Sequence, residues 1–283
     1  MATKGSLFAH NLRAKKKTQP ELAQTLPLPV HDKVGVESLR IEAVFTGFSI
    51  DVTHSDSIRV LCLNGGFGQG MLSRAFPACV TNSREQVRKR KRNTATSANM
   101  TNMVPNSSIQ ENENEPLCLF LEEAFFLMHT LNILNLKDLF DKHIDTLEAF
   151  ERFRKIKTNF LACYCAYLYL KSKNWVVKSG IKFGGDFVIY VKGPQFYHAS
   201  YIVLVQEMHE GKLIDSHTVE GLDFQGFNRI AETTAKDVLF LEVHYPATLD
   251  LSDNAACLES LNDVRVAELF TKHHNYLAAR NQI

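Results

Sequence analysis

The sequence lacks any apolar run able to cross a bilayer. The longest, Phe160–Leu170, falls far short of the roughly 20 residues that a spanning helix needs. A secretory opening is missing too, because Lys15, Lys16 and Lys17 run into Thr18, Gln19 and Pro20 and not into an apolar core. Net charge is scarce, +1 over 283 residues, so any hold on a polyanion must be local or shared with partners. The six cysteines (Cys62, Cys79, Cys118, Cys163, Cys165, Cys257) show neither CxxC nor paired Cys/His spacing. Cys163 and Cys165 sit two apart in a helical stretch and point in different directions, which excludes a zinc knuckle. These shortages predict a soluble intracellular protein with reduced thiols and no membrane association.

What is present divides into two ordered regions. Residues 1–37 are a polar, basic tail. Residues 38–80 open with strand-like alternation from Ser38 to Val60, with Leu39, Ile41, Ala43 and Phe45 inward, then Phe48, Ile50 and Val52. Gly47 suggests a hairpin. Asn64–Gly70 is a glycine-rich turn without the Lys-Ser/Thr ending of a phosphate loop. Residues 81–116 contain no aromatic side chain and end in an acidic stretch, as expected of a disordered linker. Arg84, Arg88, Lys89, Arg90, Lys91 and Arg92 form a basic cluster within it, readable as a solvated charge run, a nuclear-import signal or an RNA-backbone contact.

Residues 117–160 read as helical. Leu119, Leu121, Ala124, Phe125, Leu127, Met128 and Leu131 recur at helical spacing with Glu122 and Glu123 on the other face, and Leu134–Phe140 and Leu147–Arg154 follow. Thr158–Leu170 is also helical, and Phe153–Leu170 reads as one long amphipathic element, with Pro116 and Asn174 as boundary residues. Residues 161–283 then turn to β: Trp175–Val177, Phe187–Tyr190, Phe196–Gln206 and Val238–Val243, with a helix over Gln225–Thr233. The fold class is mixed α/β.

Tyr190 ends one strand, and a turn at Lys192–Gly193–Pro194 leads into the next. Alternation there places Phe196, His198, Ser200 and Ile202 on one side and Tyr197, Ala199, Tyr201 and Val203 on the other. Such a hairpin brings Tyr190 near His198, while Lys236 stands at the entrance to a later strand. Composition alone does not separate these three from hydrogen-bonded structural residues. Asp186 is the one carboxylate near Tyr190 and has no Glu-x-Lys partner, which argues against a magnesium-dependent DNA nuclease. Adjacent His273 and His274 lack a third ligand, so no metal site is expected.

The segment Tyr167–Tyr190 (YLYLKSKNWVVKSGIKFGGDFVIY) continued by Gly193–Tyr201 (GPQFYHASY) resembles the catalytic domain of the tRNA-intron endonuclease family. The spacing of eight from Tyr190 to His198 and 38 to Lys236 is similar to that family's Tyr–His–Lys triad. Residues 64–77 and 119–131 further resemble the subunit that cuts the 5′ splice site. Gln69 stands where a lysine is usual, a change of surface contact, and Asn174 where a glycine is common.

The resemblance implies a restriction-endonuclease-like mixed sheet flanked by helices in residues 161–283. It also implies RNA cleavage without metal or cofactor, leaving a 2′,3′-cyclic phosphate and a 5′-hydroxyl. Tyr190 would be the base, His198 the acid and Lys236 the stabiliser of the phosphorane. A histidine's ordinary pKa of about 6.5 suits the acid role. A phenol near 10 must either gain a cation's help or act by positioning the 2′-hydroxyl, and both readings stand. Arg229 takes the place of an arginine that stacks on a flipped-out base, the plain alternative being a salt-bridged surface residue. Phe270, His273, His274 and Tyr276 are candidates for its aromatic partner. The implied substrate is pre-tRNA and the implied assembly two catalytic and two non-catalytic subunits, in the nucleus. The alternative is a non-catalytic structural subunit of the same complex.

Overall fold

The computed structural model describes residues 40–72, 77, 115–191, 193–194, 197–214 and 221–271. The tail, nearly all of the linker with its basic cluster, Leu39, Phe196, His273, His274 and Tyr276 lie outside the described residues.

The first sheet begins with the expected hairpin. β1 (Ile41–Phe45) turns through Gly47 into β2 (Ile50–Val52). Ile41, Ala43, Phe45, Ile50 and Val52 are buried, but Phe48 sits at the turn tip, 87% exposed. Ser55–Asn64 forms a helix, α1, not a strand, because Ile58, Leu61 and Cys62 recur at helical spacing and face the core. β3 (Gln69–Gly70) and β4 (Leu117–Leu119) follow, and Gln69 is exposed.

The stretch from Leu117 is therefore not helical throughout. After β4, the short helix α2 (Leu121–Phe125) runs into a π-helical turn, Phe126–Thr130, and β5 (Leu134–Lys137) replaces the helix expected at Leu134–Phe140. Its four-residue LNLK run is too short for periodicity to separate strand from helix. The strand order is β3-β4-β2-β1-β5, with β1 and β5 parallel, so residues 117–137 complete the sheet begun at residue 41.

The long helix expected over Phe153–Leu170 is two helices. α3 (Thr146–Ile156) begins where Asp145 accepts a hydrogen bond from Glu148 N, and Lys157 leaves helical geometry. α4 (Phe160–Ser172) is not amphipathic: every residue from Phe160 to Tyr167 is buried. The Phe125 ring meets Phe150, Phe160 and Tyr164 at 5.6, 5.7 and 4.8 Å. Beyond α4, Asn174 takes φ 62, a left-handed conformation that asparagine tolerates.

The second sheet has the order β11-β10-β8-β7-β6. Its strands are β6 (Val176–Ser179), β7 (Phe187–Tyr190), β8 (Tyr201–His209), β10 (Asp237–Tyr245) and β11 (Arg265–Thr271), and β9 (Lys212–Leu213) pairs with β8. β8 and β10 are parallel and joined through helix α5 (Gly221–Thr234); the other pairs are antiparallel. A short helix, α6 (Asn254–Glu259), precedes β11. One core packs both sheets around α4, and a smaller one lies between the second sheet and α5. The architecture is mixed α/β, as expected. No described helix is long and apolar enough to cross a membrane.

Glu122 and Glu123, expected on a solvent face, are buried. Lys157 Nζ lies 2.7 Å from Glu122, and Lys178 Nζ on β6 lies 3.3 Å from Glu123. Glu123 also accepts from Gly68 N at 2.9 Å while Lys178 donates to Gly68 O at 2.6 Å, so the glycine-rich turn is gripped on both polar groups of one residue. Only glycine fits there: φ is +66 and a Cβ would lie 2.6 Å from Leu117 Cγ. Burial pushes the Glu123 carboxyl above its ordinary value of 4.5, against the lowering pull of Lys178. The folded chain thus binds the Glu123 proton more tightly than the unfolded chain, and this residue favours folding more as pH falls toward 4.5. Lys178→Met should cost about 3 kcal/mol at neutral pH by stranding a buried carboxylate. The loss should shrink at pH 5, as read by urea unfolding at both pH values.

Candidate active site

Three neighbouring strands end together. Ile189 on β7 pairs with Tyr201 on β8, and Tyr201 pairs with Asp237 on β10. One step outward, Tyr190 ends β7, and Ser200 and Lys236 lead into β8 and β10. Adjacent strands lie about 4.8 Å apart, so Tyr190 and Lys236 stand roughly 10 Å apart along the backbone. His198, two residues upstream of Ser200, is exposed at the same end of the sheet.

The alternation expected before β8 does not hold. The strand starts at Tyr201, and Ser200 N donates to Ile189 O at 2.9 Å, one residue out of step with the Ile189–Tyr201 pairing. This local bulge adds a residue to one strand and resets which side chains share a face. Ala199 consequently clusters with Ile202 and Val238 instead of facing away from Ile202. Ser200 is buried, and its Oγ has no hydrogen-bond partner among the described residues.

Tyr190 is half-buried against the cluster of Val188, Ile202 and Val238, and burial pushes its phenol above the ordinary value of 10.0. Lys236 is delivered by the end of α5. Its N–H donates to Ala231 O at 2.9 Å while Ala235 N donates to Glu232 O at 3.1 Å, with Ala235 at φ 53. This pair of bonds around a left-handed residue stops the helix and turns the chain into β10. The Lys236 ammonium donates to Thr234 O at 3.1 Å and lies 4.4 Å from the centre of the Phe183 ring.

The segment carrying these residues matches a known family model, the tRNA intron endonuclease catalytic C-terminal domain, over residues 160–248. The chain carries that catalytic domain. Among relatives of this tRNA intron endonuclease domain is the tRNA-splicing endonuclease subunit Sen2 of Gallus gallus, 37% identical over 158 residues, 55% of this chain and 33% of that protein. The subunit Sen2-1 of Arabidopsis thaliana is 30% identical over 150 residues, covering 53% of this chain and 61% of its own length. The tRNA-splicing endonuclease of Sulfurisphaera tokodaii is 36% identical over 80 residues, 28% of this chain and 41% of that protein. This chain spans about a third of the length of its chicken, mouse and rat relatives.

Elsewhere in the matched segment, Arg229 is exposed on α5, with no ion pair among the described residues. Phe270 is not available to it. That ring packs on Tyr201 at 5.8 Å in the core that surrounds α4, on the sheet face opposite α5. Asp186 is committed to structure, accepting from Val205 N at 2.9 Å and from the Cys163 thiol at 3.6 Å, at the far end of β7 from Tyr190.

Sequence reasoning missed Phe183 and Ala235. Phe183 lies in a 3₁₀ turn (Ile181–Phe183) whose contact with Lys236 is purely spatial. An alanine rarely marks a left-handed helix end. Ala235→Gly should raise stability by about 0.5–1 kcal/mol by removing the left-handed Cβ penalty. The check is the denaturation midpoint in urea.

Proposed function

We propose that this chain cuts intron-containing pre-tRNA at the 5′ splice site as a catalytic subunit of a tRNA-splicing endonuclease. The observation that carries the reading is the gathering of Tyr190, His198 and Lys236 at one end of β7, β8 and β10 inside the family-matched segment. A phenol, an imidazole and an ammonium are what in-line attack by a ribose 2′-oxygen requires. The 2′-hydroxyl gives up its proton to water as its oxygen bonds to phosphorus, the 5′-oxygen leaves with a proton from His198, and Lys236 balances the charge of the crowded phosphorane. The products are a 2′,3′-cyclic phosphate and a 5′-hydroxyl, with no metal in the step. The presence of all three groups favours this enzyme over a non-catalytic subunit.

Arg229 supports substrate grip, its guanidinium standing exposed on α5 to stack on an unpaired base. The names of the Sen2 relatives support work alongside other subunits. In this reading the assembly has two catalytic and two non-catalytic members and resides in the nucleus. β11, an edge strand of the second sheet, offers a backbone surface for such pairing.

The test is a complex reconstituted with His198→Ala and given labelled pre-tRNA in EDTA. The 5′-site cut should fall at least 100-fold while the 3′-site cut persists. Unchanged 5′ cutting would overturn the assignment, and inhibition of the unmutated complex by EDTA would overturn metal independence. Tyr190 carries its own test. Burial favours the neutral phenol, which supports a role in orienting the 2′-hydroxyl, and under that role the loss caused by Tyr190→Phe should be equal at pH 6.5 and 8.5. A loss growing about tenfold per pH unit would assign a phenolate base instead.

A further inference from the structure

We propose that Phe183 is a positioning residue for Lys236, its ring face holding the ammonium at the end of the second sheet. The proposal rests on the reading of Lys236 as the group that stabilises the phosphorane. Lysine carries its charge on a flexible four-carbon stem, and its ammonium needs an anchor to occupy one place. Here it has a carbonyl, Thr234 O at 3.1 Å, and an aromatic face, with the Phe183 centroid at 4.4 Å.

The ring itself is fixed from two sides. The turn Ile181–Phe183 ends at Gly184, whose φ of +74 lets the chain double back. Phe227 of α5 presses so close to Gly184 that a Cβ there would sit 2.9 Å from the Phe227 ring. Phe183, Tyr190 and Phe227 all pack against the same buried cluster. A ring face suits this task better than a carboxylate. Its quadrupole attracts the cation and adds no formal negative charge of its own beside the phosphate.

The experiment uses the reconstituted complex and pre-tRNA under steady-state and single-turnover conditions. Phe183→Leu should lower kcat for the 5′ cut about 3- to 10-fold with KM within about twofold, and Phe183→Tyr should restore it. In a Lys236→Ala background, Phe183→Leu should have no further effect. Replacing Phe183 with ring-fluorinated phenylalanines, which keep the shape and weaken the quadrupole, should lower the rate step by step. This series also serves if the leucine variant fails to assemble. A rate indifferent to fluorination, or an equal loss from Phe183→Leu with and without Lys236, would overturn the positioning role. Full activity of Lys236→Ala would instead overturn the assignment of Lys236, a separate failure.

Discussion

The parallel pairing of β8 with β10 is the constraint on which the site depends. Nine consecutive residues match, from Tyr201 with Asp237 to His209 with Tyr245. Because side chains alternate along both strands, a slip of one residue would move Val238 and Phe240 out from under α5 and carry Lys236 to the other face. Parallel neighbours need a crossover, and α5 supplies it. The helix therefore fixes where the lysine lands as well as covering the sheet. Its last turn, closed by the Lys236 and Ala235 amide bonds, sets the residue at the strand entrance.

A second requirement is electrostatic. Burying Glu122 and Glu123 is unfavourable unless each meets a cation and its remaining lone pairs are satisfied. Lys157 and Lys178 meet that demand from the next helical layer and from β6, and Gly68 supplies a backbone amide. Lys171, pulled down to about 8 chiefly by burial, sits 4.6 Å from the centre of the Phe67 ring beside the same network. Charges that look decorative in one dimension thus fasten the first sheet to the second.

Much of this was legible in the residues. Phe187–Tyr190 is bounded by glycines, dense in β-formers, and the strand occupies those four residues. The hairpin at Gly47, the helix over Gln225–Thr233 and the boundary at Asn174 were readable for similar local reasons. The misreadings share one cause, which is that the deciding partner is distant in the chain. The partners of Glu122 and Glu123 lie 35 and 55 residues away. β5 is a strand because β1 lies beside it, and the bulge before Tyr201 exists only relative to β7. The spacing of Tyr190, His198 and Lys236 could be read from the sequence, whereas the ring beneath Lys236 required coordinates.

α4 has a consequence for how the molecule can be divided. The family match begins at residue 160, the first residue of α4. Yet this helix has no outward side from Phe160 to Tyr167, and Phe125, Phe150 and Phe153 close over Phe160 and Tyr164 from the preceding segments. A boundary drawn by likeness is no boundary in packing. Chain severed there would leave its central rod wet along one flank, so the matched segment and the sheet before it stand or fall as one cooperative body.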